Sequence, residues 1–432
     1  MPKTPYTFNS RVNITELKEL VVQMLEVMGR GPDGRGIAPI RADFFFQDRL
    51  AFVNDGIDIP GSLTSKEKRH LIFKAFCDAK GEGASSYEGF SRTLGSVIQA
   101  RLGLPQSRFY LTTSVSLDRS KLQANLRFSH AGVRMQISRA YPRRLKPFNR
   151  PSRRGDEEPA SSIPPLGYSH LTATVQAQTL ASAADHIFPA LDLWMGILNH
   201  AFPDGRIAWV YPPQPVNRLR LGKWHIFYDD AGNPREDHPW YDPEYQRVNN
   251  LQEFPAAESP FWKRYRRAVG FIRRRSDLGT LMISYFRNMY DAGSLRDPHL
   301  RLLRHWGVLE TLLALPDKNT TTDKIVERAS FTSAQPQYRK KRLKIIGEVR
   351  NRFVHRAIRD DDPLNFDEDL RDYLRGLAGY FISGKHGCRT HAELLKLLDM
   401  SWDRKALREH ARHTKIAMLM RAGGDPKPKK GE

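Results

Sequence analysis

The sequence predicts an α+β N-terminal region followed by an all-α helical bundle. Three observations carry that prediction. Residues 14–29, 65–79 and 87–102 repeat apolar side chains at helical spacing. Between about 107 and 230, the stretches RFYLTTSVSL, VRMQIS, LTATVQAQT, IAWVYP and WHIFYDD are rich in β-branched and aromatic residues, some in period-two alternation. From about residue 259 onward, only helical periodicity remains.

Taken in order, ITELKELVVQMLEVMG aligns Ile14, Leu17, Val21, Leu25 and Met28 on one helix face. GRGPDGRG follows, with neither a strand before it nor Lys-Ser/Thr after it, so it reads as a loop and not as a phosphate-binding P-loop. One apolar helix, AADHIFPALDLWMGILNHAF, interrupts the strand-rich part. Its Asp185, His186 and His200 lack catalytic spacing and suit a buried amphipathic helix. The insert 141–165 is rich in Pro, Arg and Ser without periodicity, the signature of a mobile loop. RADFFFQD and DDAGNPRED offer acidic residues without the paired geometry of a two-metal nuclease.

Prolines and turn residues dominate 231–258, which is therefore a linker between an N-terminal region, 1–230, and a helical domain, 259–420. In that domain, Trp262, Tyr265, Val269 and Ile272 recur at threes and fours, with Lys263, Arg266, Arg267, Arg274 and Arg275 over much of the rest. The next helix carries Leu302, Trp306, Leu309, Leu312 and Leu313, and Pro316 helps to stop it. A short helix after a threonine cap leads to PQYRKKRLKIIGEVRNRFVHRAI, whose apolar register is Leu343, Ile346, Val349 and Phe353. The tail 421–432 is expected to be disordered.

The chain's formal net charge is +21 over 432 residues. A surplus of that size favours an anionic partner, with nucleic acid ahead of membrane. Two distant cysteines, Cys77 and Cys388, suggest no disulfide framework and point to a reducing compartment. The N-terminal stretch has no apolar signal region, and no apolar run is long enough to span a bilayer. The expectation is a cytoplasmic protein without a membrane partner.

The chemistry-bearing stretch is EVRNRFVHR, residues 348–356. A histidine titrating near neutrality can move the 2′-hydroxyl proton of RNA. An arginine can hold the charge that develops on phosphorus. Arg350 and His355 stand five apart, about 140° and 7.5 Å along an ideal helix, so one helix does not bring them to one face. Arg352 is the nearer neighbour of His355, and spacing alone leaves open which arginine holds phosphate. An arginine stem leaning back, a helix start or kink nearby, or a second copy of the motif across a two-fold axis would relieve the spacing. Asn351 is placed to donate to phosphate or to orient His355.

RNRFVH resembles the signature of the HEPN superfamily: Arg, a polar residue, three spacers, His. RLLRHWGVLETLLALP is similar to the helix bearing a Leu-Glu pair that precedes this signature in Apea-like HEPN domains. The resemblance covers roughly 259–420, with its specific part at 301–356. It implies a HEPN-like helical bundle acting as a metal-independent endoribonuclease, a homodimer with one cleft built from two motifs, and a role in bacterial defence against phage, often as a toxin. It makes Arg350 and His355 catalytic, puts Asn351 in the polar slot, and gives Glu310 a supporting role, as a salt bridge to an arginine. Some members bind without cutting, so a nucleic-acid-binding or scaffold protein is the alternative.

Other basic residues are candidates for RNA contact: Lys340, Lys341 and Arg342 leading into the motif, Arg352 within it, and Arg266 and Arg267 on the first helix of the bundle. The N-terminal region would sense a phage-derived or nucleic-acid trigger or restrain the cutter. No cofactor is expected. HGCRTH, with His386, Cys388 and His391, lacks the paired spacing of a zinc site, so no metal is expected there.

Overall fold

The computed structural model describes residues 5–31, 36–37, 43–59, 63, 65–148, 165, 167–202, 215–235, 240–242, 245, 247–248, 251–274, 276–315, 320–333, 335–356, 363–400 and 403–422. The IAWVYP strand expected at 207–212, most of the 141–165 insert and all but two residues of the 421–432 tail lie outside the described residues.

The chain is α+β in its first part and helical in its second. It opens with β1 (Thr7–Phe8), α1 (Ile14–Val27), β2 (Gly29–Arg30), β3 (Gly36–Ile37), α2 (Asp43–Gly56), β4 (Ile57–Asp58), α3 (Ser65–Gly81) and α4 (Tyr87–Leu102). The two-residue strands pair antiparallel, β1 with β4 and β2 with β3. Asn13 and Ser86 start α1 and α4 by accepting backbone N–H bonds from Thr15 and Gly89, the ordinary N-cap chemistry. Leu17, Val21 and Met24 of α1 close over Phe46, Phe76 and Phe90 in a core of their own. Helix α2 was not legible, because its run of phenylalanines replaces a helical stripe.

Six antiparallel strands follow: β5 (Ser107–Asp118), β6 (Leu126–His130), β7 (Val133–Ser138), β8 (Tyr168–Ala177), β9 (Trp224–Tyr228) and β10 (Trp240–Tyr241), in the spatial order β10-β9-β5-β8-β7-β6. The β6–β7 hairpin turns on Ala131 and Gly132, both at positive φ (48° and 82°), as a two-residue turn matching strand twist requires. One sheet face, with Leu111 and Val115 of β5, Met135 of β7 and Leu171 and Ala173 of β8, packs against α5 (Leu180–Ala201).

The second part consists, among the described residues, of helices α6 (Pro260–Ile272), α7 (Asp277–Ser294), α8 (Pro298–Leu313), α9 (Thr322–Ser330), α10 (Pro336–Arg356), α11 (Pro363–Ser383), α12 (His391–Leu398) and α13 (Arg404–Ala422). Helix α7 packs along α5 so closely that a Cβ on Gly196 would fall 2.0 Å from the Phe286 carbonyl oxygen. Only glycine permits that approach.

The cores do not part at the 231–258 linker. One hydrophobic cluster runs from Phe109 of the sheet through Trp194 of α5 to Leu398 of α12; the N-terminal helices, Tyr6 to Ile98, form a separate one, and a small third gathers Tyr110, Leu145, Ile226 and Tyr228. The reason is α5, which is buried on two sides and joins sheet to bundle. The described part of that stretch is tied to the sheet: β10 pairs with β9, and Asp118 N–H donates to the Gln252 carbonyl at 2.9 Å. Arg101 bridges the two cores through a buried ion pair with Glu67 and a hydrogen bond to Gln178.

Candidate functional site

Helix α10 is positioned by its apolar stripe. Leu343, Ile346 and Val349 are fully buried, each contributing roughly 1.5–3 kcal/mol by leaving water. Gly347 brings α10 against α8, since a Cβ there would meet the Trp306 ring at 3.0 Å. One turn later, Phe353 is half-buried and stacks on the buried His299 ring, with centroids 5.1 Å apart. The motif residues are thereby turned to the rim of the bundle.

Close approach of the two helices assembles a chain of polar contacts. The Trp306 indole N–H donates to Glu310 Oε1 at 2.8 Å. The same oxygen lies 3.6 Å from Arg350 Nη2. Arg350 Nη1 donates to Asn351 Oδ1 at 2.8 Å. The arginine is thus held at two nitrogens and remains about a quarter exposed. With five N–H donors in all, the guanidinium keeps others for a phosphate oxygen. His355 is exposed, near the C-terminal end of α10. Among the described residues no hydrogen bond or ion pair joins His355 to Arg350, which stand about 140° apart around an ideal helix.

The other basic candidates divide into two groups. Lys340 pairs with Glu327 at 3.0 Å, and Arg342 pairs with Asp369 at 2.5 Å while lying over the Phe366 ring. Lys344 adds a third pair with Asp323 at 2.8 Å. Much of the basic run before the motif therefore ties α10 to its neighbours α9 and α11. Lys341 and Arg352 are exposed on α10, and Arg266 and Arg267 are exposed on α6.

Sequence reasoning missed a buried histidine–carboxylate pair. Asp367 of α11 is buried and accepts from Arg301 at 2.5 Å and His305 at 2.6 Å, both on α8. Burial pushes the Asp367 carboxyl up, but His305 and Arg301 outweigh it and hold its pKa below the ordinary value. His305 Nε2 has no partner among the described residues and lines a small cavity of about 60 Å³, shared with His200, Asn217 and Arg375. That space suits a few waters, not a nucleotide, so the triad acts as a clamp between α8 and α11. Asp367 is 66 and 62 positions from Arg301 and His305 in sequence, and no local pattern announces the contact.

The HGCRTH residues serve backbone. His386 shares Nε2 with the Phe381 carbonyl at 3.0 Å and accepts the Cys388 N–H at Nδ1, also at 3.0 Å. His391 Nε2 meets the Leu312 carbonyl at 2.8 Å. Among the described residues, no group of three or more His, Cys, Asp or Glu side chains is arranged to hold a metal ion, and no helix is long and apolar enough to cross a membrane. Comparison with family models, with curated proteins and with solved structures finds no match to this chain.

Proposed function

We propose that the chain is a HEPN-type endoribonuclease whose site is built from Arg350, Asn351 and His355, acting as a homodimer in bacterial anti-phage defence. The observation that carries the reading is an exposed His355 on the same helix as an Arg350 aligned by Glu310 and Asn351. In this reading the His355 imidazole takes the 2′-hydroxyl proton, and O2′ attacks the adjacent phosphorus. The P–O5′ bond breaks, and the 5′-oxygen takes up a proton relayed through water from the imidazolium, which returns the histidine to its neutral form. Arg350 stabilises the added negative charge. The products are a 2′,3′-cyclic phosphate and a 5′-hydroxyl. The nucleophile belongs to the substrate, so the scheme needs no metal, and DNA is spared. Because Arg350 and His355 diverge around α10, the working pair combines Arg350 of one copy with the histidine of a second. The N-terminal region would then answer a phage-derived or nucleic-acid trigger and restrain the cutter.

The test is to map RNA ends from cells, and from purified RNA, exposed to wild type and His355→Ala. Cyclic-phosphate ends generated by wild type alone support the reading. Equal toxicity and equal cleavage by the two proteins remove it.

A second reading has its own observation. The Glu310–Arg350 contact and the pairs made by Lys340, Arg342 and Lys344 are also what a structural, non-catalytic bundle would use. A nucleic-acid-binding or scaffold protein of this kind would shift RNA in a gel, with a strong salt dependence and no product.

A further inference from the structure

The face of the sheet turned away from α5 carries a pocket that the nuclease reading does not use. Two cross-strand rows form its floor. In one, Arg127 of β6 stands opposite Gln136 of β7, which stands opposite Thr172 of β8. In the other, Ser129 stands opposite Arg134, Arg134 opposite Thr174, and Thr174 opposite Tyr110 of β5. Opposed side chains lie about 4.5–5.5 Å apart, so the rows make a continuous polar surface. The chain after β7 supplies a wall: Leu145 packs with Tyr110, Ile226 and Tyr228, and the Arg144 guanidinium lies 4.3 Å from the centre of the Tyr110 ring. The enclosed space is about 570 Å³, within the range of small-molecule sites.

The charge in this pocket is one-sided. Its lining contains Arg127, Arg134, Arg144 and Arg273, and no carboxylate among the described residues. Arg144 has Asp230 within 3.9 Å. The other three pair with no carboxylate among the described residues. Thr172 Oγ1 is buried at the same place without a hydrogen-bond partner among the described residues. A soluble surface ordinarily intersperses both signs of charge. Three guanidinium groups around one concavity, none paired with a carboxylate among the described residues, instead suit a ligand with several anionic oxygens, because arginine binds phosphate in a fork.

The rest of the lining adds what a bare phosphate does not need. The Arg144 plane, backed by Tyr110, offers a surface on which a flat ring can stack. The Gln136 amide presents a donor and an acceptor together, the pattern that reads a base edge. Tyr110 and Gln136 stand on paired strands, Arg144 in the turn after β7 and Arg273 at the end of α6. We propose that this pocket binds a free nucleoside di- or triphosphate, with Arg127, Arg134 and Arg273 on the phosphates and Gln136 and the Arg144 plane on the base. The site stands independently of the nuclease reading.

Calorimetric titration of the full chain with ATP, GTP, UTP and inorganic pyrophosphate tests it. At least one nucleotide binds saturably. Arg134→Ala weakens that nucleotide about tenfold to a hundredfold, the loss of a charge-assisted contact, while melting as wild type does, because the side chain is exposed. Gln136→Ala weakens the nucleotide and leaves pyrophosphate unchanged. His355→Ala binds as wild type does, which separates this result from any failure of the nuclease reading. Four outcomes overturn the proposal: no saturable heat with any nucleotide at millimolar concentration, unchanged affinity in Arg134→Ala, pyrophosphate binding as tight as every nucleotide, or an RNA oligomer that needs Arg134 where no free nucleotide binds.

Discussion

The Glu310 carboxylate lies 3.6 Å from the Arg350 guanidinium and takes the Trp306 indole N–H on the same oxygen. Helix α8 thus sets the direction of the motif arginine on α10. Glu310 is more than a third exposed, so this pair contributes only about 0–1 kcal/mol to stability. Under the nuclease reading, Glu310→Ala therefore lowers RNA cleavage about tenfold or more by releasing Arg350, while the urea midpoint barely moves. Arg350→Ala costs about 100-fold to 1000-fold in cleavage rate, the scale seen when a donor to developing charge is removed. Equal activity of both variants and wild type would contradict the assigned role.

Helix spacing at Gly347 makes a second prediction. A Cβ there already meets Trp306 at 3.0 Å, so the two branches of valine have no room. Gly347→Val should destabilise the protein by about 1–3 kcal/mol through overpacking, measured by urea unfolding. Gly376, where an added Cβ meets nothing within 4 Å, is the control, and Gly376→Ala should be neutral or stabilising.

The Arg301–Asp367–His305 cluster should respond asymmetrically to mutation. Removing its carboxylate takes the Asp367 ion pair from a buried guanidinium, so Asp367→Asn should cost about 3–5 kcal/mol. The sign of its pH dependence follows from a depressed folded pKa. The stabilisation is present above the unfolded carboxyl pKa of about 3.9 and is lost as pH falls through the lower folded value. Melting followed below pH 5 should show an acid limb in wild type that is shallower in the asparagine variant.

Buried histidines govern a different pH window. Burial lowers the pKa of His200 to about 3, with Arg375 and Arg264 adding to it, and that of His225 to about 4. The unfolded chain titrates near 6.5, so it binds more protons than the folded one between these values, and stability falls as pH drops from about 6.5. His225 sits edge-on to Phe188 with Nδ1 unpartnered among the described residues. His225→Phe should keep the packing and flatten the decline in melting temperature between pH 6.5 and 4.5.

Exposed arginines on α6 can be weighed by salt. If Arg266 and Arg267 track an RNA backbone, the double alanine variant reduces the slope of log affinity against log salt by about 1.4, two single-strand phosphate contacts. An unchanged slope in a filter-binding series would assign both to a solvated face.

The sequence by itself determined the periodic parts. The stripe Leu343, Ile346, Val349 fixed which face of α10 is buried, because the 3.6-residue repeat leaves one answer. The alternation in RFYLTTSVSL and VRMQIS likewise fixed the sheet's apolar face. Periodicity says which side is buried and not against what. Tertiary structure alone decided that α5 fuses the sheet and the bundle into one core despite the proline-rich linker, and that Asp367 meets two residues more than 60 positions away. It also decided that Lys340 and Arg342 turn to carboxylates of α9 and α11. Nor could the separate strands VRMQIS and LTATVQAQT reveal the arginine-lined pocket, because strand register brings Arg134 beside Thr174. Local spacing encodes a helix or strand's own faces, whereas ion-pair partners and pockets depend on how distant segments dock, which short-range pattern does not carry.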